Sequence, residues 1–188
     1  MTVKNALPAA LCLGLVVLAA GCRKKEPQPG PAAAAPEFQW QIDQFADLKI
    51  LRYQVPGFEA LTPAQKELVY YLSEAALCGR DILFDQNYKH NLVVRRTLDA
   101  VVEGYKGDRS DPRWAEFMTY VKRVWFSNGI HHHYSNDKIV PGFDAAYLAA
   151  LVRGTEGRAF PLAGGQSLDD LVAFLTPVLF DPAVAPKK

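Results

Sequence analysis

Three of the four histidines in this chain are consecutive, at 131–133, between Asn128-Gly129 and Tyr134. Imidazole binds transition metals, but ligands on one helix face need i, i+4 spacing and ligands on one strand face need i, i+2 spacing. Adjacent side chains point in different directions, so only His131 and His133 would share a face, and only in an extended loop. No thiolate completes a ligand set, and Asp137 is the nearest carboxylate. We therefore predict no metal site here, and a loop that lies at the surface or lines a pocket.

The three cysteines have different expected chemistry. Cys22 follows the small residues Ala19-Ala20-Gly21, and an apolar run from 6 to 20 precedes them with Lys4 at its start. This pattern predicts a cleaved bacterial lipoprotein signal at 1–21 with lipidation of Cys22. The alternative is an ordinary secretory signal with an incidental cysteine. Lipidation would anchor the protein to a membrane, facing the periplasm or the outer-membrane surface, and Arg23 favours the outer membrane.

Residues 22–37 are rich in Pro, Ala and charge and have no apolar periodicity, which predicts a flexible tether. The whole chain has 21 basic and 20 acidic residues. Nucleic-acid binding needs a clustered excess of Lys and Arg, so we expect no nucleic-acid partner. Cys78 falls among apolar residues at helical spacing, which favours a buried, unreactive thiol.

Residues 38–188 have a mainly helical pattern, with a short extended stretch at Ile50–Val55. Capping residues mark four helix starts: Thr62 before Pro63, Asp111 before Pro112, Asp144 and Ser167. Apolar periodicity predicts one helix from 63 to about 85, a second through Val94–Tyr105 that ends at Gly107, and a third from 112 that stops at Ser127-Asn128-Gly129. Two further helices follow, one through 144–151 and one from 167 that Pro177 should interrupt. The expected architecture is bundle-like.

Several segments, in order, resemble bacterial members of the dipeptidyl peptidase III family. They are FADLKILRY at 45–53, QKELVYYL at 65–72, GRDILFDQN at 79–87, VWFSNGIHHHY at 124–134, KIVPGF at 138–143 and VLFDP at 178–182. The resemblance extends from 38 to 188. It implies a two-lobed zinc exopeptidase that removes dipeptides from the N-termini of short peptides. In that family two histidines of a His-Glu-x-x-Gly-His helix and a glutamate of a Glu-Glu-x-x-Ala-Glu helix hold the zinc.

This chain departs from the family at the zinc motif, because none of its histidines is followed by glutamate. His90, for example, precedes Asn91. The expectation is therefore an N-terminal part of a larger enzyme, truncated before the motif and inactive alone. It has no catalytic residue, no metal ligand and no cofactor of its own, and zinc is implied only for the full-length protein.

The resemblance also implies a place for the histidine loop, at the cleft between the lobes, with Tyr134 near the pocket for the peptide's N-terminal residues. Asn128, His131, His133 and Tyr134 would then contact a bound peptide. Alternatively, these residues only fold the loop.

A second hypothesis is that the chain is a complete, lipid-tethered helical binding module without catalytic activity. A complete domain should have polar faces on its exposed helices, whereas a part of a larger protein should expose apolar stripes. We expect such stripes on the helix that carries Trp114, Phe117, Met118, Val121 and Trp125, and on the segment 171–180.

Overall fold

The computed structural model describes residues 37–187. The predicted signal segment, Cys22 and the tether up to residue 36 lie outside the described residues. The described chain is mainly helical, as its apolar periodicity predicts, and its β-structure is a two-stranded sheet. Within residues 37–187, no helix is both long and apolar enough to span a membrane.

A β-hairpin opens the described chain, formed by β1 (Gln41–Phe45) and β2 (Leu48–Leu51) in antiparallel register. The prediction of extended structure at Ile50–Val55 was therefore wrong in its bounds, and the first strand was missed. Sequence alternation is weak here because most hairpin residues are exposed. Two ion pairs connect the hairpin to the helix that begins at Pro112. Lys122 Nζ lies 2.7 Å from Asp43 Oδ2, and Arg123 Nη2 lies 3.6 Å from Asp47 Oδ1. Such exposed pairs contribute little stability each.

Local capping chemistry fixes the helix starts. Helix α1 (Pro63–Cys78) begins with a capping box in which Thr62 and Gln65 exchange side-chain and backbone hydrogen bonds. Helices α4 (Pro112–Ser127), α5 (Ala145–Arg153) and α6 (Leu168–Phe180) begin after side-chain caps from Asp111, Asp144 and Ser167. Each cap satisfies a backbone N–H that has no partner inside its helix. All four predicted starts are confirmed.

The predicted helix from 63 to 85 is two helices, because the chain turns at Gly79 between α1 and α2 (Arg80–Asn87). Gly79, with φ −77° and ψ −4°, is the C-cap of α1 and the N-cap of α2. Beyond this turn, α1 contacts α2 but buries none of its residues. Cys78, the last residue of α1, is exposed, so the prediction of a buried thiol was wrong.

Helix α3 (Asn91–Gly104) ends before Gly107, with Tyr105 as its C-cap. It packs with α4, α5 and α6 around one hydrophobic core, to which α2 contributes Phe84. The largest fully buried side chains include Leu98, Phe117, Ile130, Leu148, Leu151, Leu171, Leu175 and Leu179. We refer to α2–α6 and their connections as the helical body.

Helix α6 continues through Pro177, which the sequence predicts as its interruption. Proline removes one backbone hydrogen bond and costs about 3 kcal/mol inside a helix. Leu175, Val178 and Leu179 are buried on either side of it. Each fully buried aliphatic side chain contributes about 1.5–3 kcal/mol, so burial of these three outweighs the cost of the proline.

The exposed apolar stripe lies on α1, whereas the sequence predicts it on α4 and α6. In α4, Phe117, Val121 and Val124 are buried, and α6 buries five of its residues. Helix α1 has no buried residue: Leu68, Tyr71 and Leu72 are 58%, 61% and 60% exposed. The prediction of stripes was therefore wrong about its location.

Candidate functional site

The end of α4 positions the histidine loop. Asn128 caps α4 in the left-handed conformation, with φ 52° and ψ 41°, and Gly129 follows with φ 148°. Both are residue types that adopt positive φ readily. The chain then forms a narrow loop, in which Ile139 N–H donates to the carbonyl of Ile130 at 2.8 Å. Ile130 and Ile139 are both buried in the hydrophobic core, which holds the loop against the helical body.

Asn91 holds this loop to the body, and the sequence gives no indication of its role. It is fully buried, and its Nδ2 donates to the carbonyl of Phe84 at 3.1 Å. Its Oδ1 accepts from the backbone N–H of Ile130 at 3.2 Å. One amide therefore connects the end of α2, the start of α3 and the loop, and removing it would leave buried polar groups unpaired.

His131 is buried and joins the loop to the C-terminal segment. Its Nε2 lies 2.7 Å from the carbonyl oxygen of Ala185, which requires the hydrogen on Nε2. Its Nδ1 is buried and finds no hydrogen-bond partner among residues 37–187. This geometry gives His131 a structural contact and leaves one nitrogen free.

The C-terminal segment closes over the loop through two lysines. Lys187 Nζ donates to the carbonyls of His132 and Ser135, both at 3.1 Å. Lys138 Nζ donates to the carbonyls of Asp181 and Val184 at 2.6 and 2.8 Å. Because these donors bind backbone oxygens, the loop conformation depends on residues 181–187.

His133 and Tyr134 form the outer part of the loop. The His133 ring lies 4.3 Å from the ring of Tyr134 and 4.9 Å from that of Phe126, measured between centroids. Tyr134 is 89% exposed, so its phenol is free to contact a ligand. The Nδ1 of His133 is buried and unpaired within the described chain.

Of the four residues predicted to bind a peptide, three line a single cavity, namely Asn128, His131 and His133. The cavity has a volume of about 150 Å³, and Asn87, Ser127, Gly129, His132 and Lys187 complete its lining. This holds roughly five waters, at about 30 Å³ each, and is too small to enclose a drug-sized ligand. Such a site suits one polar group of a larger ligand that lies across the loop, with Tyr134 beside it.

The imidazoles do not form a metal site in the described part of the chain. No group of three or more His, Cys, Asp or Glu residues within 37–187 is placed to hold a metal ion. The Nδ1 of His132 instead accepts from the backbone N–H groups of Tyr134 and Ser135, at 3.3 and 3.0 Å.

Two histidines should make stability depend on pH. Burial lowers the pKa of His133 below its usual 6.5, with further lowering from His132 and Lys187 and an opposing effect of Asp47. Burial and the charge of Lys89 lower the pKa of His90. Below pH 6.5 the unfolded chain therefore binds more protons than the folded chain, so stability falls as pH decreases through that value. The hydrogen bond from Ser167 lowers the pKa of the Asp170 carboxyl below its usual 3.8, so this cap loses its contribution to stability only at much lower pH.

We expect the midpoint of urea unfolding to decrease between pH 7.5 and pH 5.5, and the double substitution H90Q/H133Q to flatten that dependence. The measurement is circular dichroism across a pH series. An unchanged slope in the double variant would contradict the assignment of these two groups.

No protein-family model matches this chain, and no curated protein matches it.

Proposed function

We propose that the chain is the N-terminal scaffold and substrate-cleft segment of a larger zinc-dependent dipeptidyl peptidase of the dipeptidyl peptidase III kind. In this proposal Cys22 carries a lipid anchor, the tether holds the folded part away from a bacterial membrane, and short peptides are the substrates. The proposal rests on the ordered resemblance over 38–188 and on the geometry of the described residues.

The observation that carries the proposal is the solvent exposure of the apolar residues of α1. Soluble domains stabilise most helices by packing an apolar face, and a 16-residue helix is only marginally stable alone in water. Leu68, Tyr71 and Leu72 face solvent along α1. A helix of this composition is consistent with a protein in which further polypeptide covers it.

The histidine loop supports the substrate-cleft part of the proposal. Asn128, His131 and His133 line one small cavity, and the exposed phenol of Tyr134 follows them in the loop. An imidazole and a phenol each offer a peptide an apolar ring that carries a polar atom. His131 and Asn128 also stabilise the loop itself, so His133 and Tyr134 are the residues that we propose contact the peptide.

The residues described do not fit a zinc ion, so no step of the reaction is assigned to them. In the larger enzyme the zinc would polarise the scissile carbonyl and activate a water. The role that we propose for this segment is to hold the peptide, not to cleave it.

The deciding experiment compares this chain with a form extended to the next in-frame stop codon. We expect the extended protein to contain one zinc per chain and to release dipeptides from dipeptidyl-naphthylamide substrates. We expect neither property from the short chain. Zinc content is measured by mass spectrometry and turnover by fluorescence, with and without a chelator.

Two outcomes would overturn the proposal. An extended frame without a His-Glu-x-x-Gly-His motif and without zinc would contradict the enzymatic function. If the short chain binds peptides as tightly as the extended protein does, the result would favour the complete binding module instead.

The contribution of Tyr134 can be tested in the extended enzyme. Because Tyr134 is 89% exposed, Y134A should leave the fold intact, and loss of one aromatic contact should raise KM about tenfold. The matched control is Y53A, which removes a tyrosine that is 82% exposed before α1. Equal KM values for the two variants would place the peptide elsewhere.

A further inference from the structure

Helix α1 presents a regular apolar stripe, which we call the α1 stripe. It comprises Ala64, Leu68, Tyr71, Ala75 and Cys78, spaced alternately by four and three residues. This is the a/d spacing of a helix that packs against another helix. All members are exposed, and Leu72 widens the stripe on one side.

The α1 stripe has the dimensions of an interaction surface. A helix of 16 residues is about 24 Å long and about 10 Å wide. Contiguous apolar patches of a few hundred Å² on soluble proteins are frequently functional. Among the described residues, α2 is the main element that α1 contacts, and no residue of α1 is buried.

The charges beside the stripe are acidic. Glu67 and Glu74 are seven residues apart, so both lie on the same side, each directly before a stripe residue. The one lysine of α1, Lys66, is on the opposite face, where its Nζ donates to the carbonyl of Glu59 at 3.1 Å. The stripe is therefore bordered by negative charge and by no positive charge of α1.

This charge pattern disfavours two occupants. Helices that lie on membranes carry Lys and Arg beside their apolar face, whereas α1 would bring Glu67 and Glu74 to anionic headgroups. In an antiparallel pair of α1 helices, Glu67 of one copy would lie opposite Glu74 of the other. In a parallel pair Glu67 and Glu74 would face Leu72 and Gly79 of the other copy, so neither arrangement supplies a cation.

We infer that the α1 stripe docks a partner helix that is apolar along one face and carries Lys or Arg beside that face. Such a helix buries the stripe and pairs its cations with Glu67 and Glu74. This inference deepens the proposed function, in which the remainder of the enzyme supplies the helix. Charged residues beside an apolar seam set partner choice, and that is the role assigned to these two glutamates.

The test uses the full chain and two synthetic amphipathic peptides. Both have leucine along one face, and they differ only in carrying lysine or glutamate beside it. Binding is measured by fluorescence anisotropy, and protection of the exposed Cys78 thiol from alkylation is measured by mass spectrometry. We expect the lysine peptide to bind at least tenfold more tightly and to protect Cys78.

Charge exchange makes the test specific. The double variant E67K/E74K should reverse the preference between the two peptides. The matched control, E116K/E156K, places the same charges at exposed positions off α1 and should leave the preference unchanged. The variant L68D should weaken the binding of both peptides, because it places a charge in the α1 stripe. Circular dichroism checks that each variant is folded.

Three outcomes would overturn the inference. They are equal affinity for the two peptides, a dimer in analytical ultracentrifugation that E67K/E74K does not alter, and protection of Cys78 by phosphatidylglycerol vesicles. The result is separable from that for the proposed function. An active extended enzyme with no peptide preference contradicts this inference alone, whereas an inactive extended protein with a retained preference contradicts only the function.

Discussion

Replacing Gly129 by alanine is expected to lower the free energy of unfolding by roughly 3–6 kcal/mol, from backbone strain together with broken buried hydrogen bonds. Gly129 has φ 148°, which alanine rarely adopts. A Cβ at this position would clash with the side-chain amide of Asn91, which is fully buried. The substitution therefore displaces the amide that holds the loop to α2 and α3. Urea denaturation followed by circular dichroism measures the effect.

The control for this prediction is G164A. A Cβ at Gly164 has no atom within 4 Å, and we expect a change within about 0.5 kcal/mol. The double variant N91A/G129A separates the two causes, because removing the Asn91 side chain relieves the clash but not the strain. The double variant should lose less free energy of unfolding than the sum of the two single variants, by about 1–3 kcal/mol. Strict additivity would show that Asn91 and Gly129 do not interact.

Capping explains why the helix starts were predictable. The partners of Thr62, Asp111, Asp144 and Ser167 lie two or three residues away, so each signal is contained in a few letters of sequence. The end of α4 was equally local, since Asn128 and Gly129 supply the positive φ angles that stop a helix.

Features set by distant contacts were not predictable. Proline at 177 indicates a helix end locally, and only the burial of neighbours such as Leu179 allows α6 to continue. The sequence around Asn91 indicates only a helix start, because its hydrogen bond with the backbone N–H of Ile130 joins positions 39 residues apart. Periodicity identifies an apolar face but not what covers it, which is why Cys78 was expected to be buried.

The sequence predicted which residues of the candidate site share one loop, but not the separate contacts that each of them makes. The sequence places Asn128, His131 and His133 at one loop, and the structure brings all three to one cavity. It could not separate their roles, because the contact of His131 with Ala185 spans 54 residues. Lys187, which fixes the loop backbone, was missed for the same reason.

The same leucine-to-alanine substitution should have very different effects on the free energy of unfolding in α5 and in α1. Leu148 in α5 is 0% exposed, so L148A creates a cavity and should cost about 2–5 kcal/mol. Leu72 in α1 is 60% exposed, so L72A should change the free energy of unfolding by less than about 0.5 kcal/mol. Alanine also has the higher helix propensity, which offsets any small loss. Urea unfolding of the two variants beside the unsubstituted chain makes the comparison.

The same pair of substitutions tests whether further polypeptide covers α1. If L72A costs as much as L148A in this chain, α1 already packs against a partner in solution, and the α1 stripe is not free. In the extended protein, however, Leu72 should become buried beneath the docked helix, and L72A should then cost about 2–5 kcal/mol as a buried leucine does. A cost that appears only in the longer protein would show that the helical body folds from its own core while α1 gains its packing from the added polypeptide.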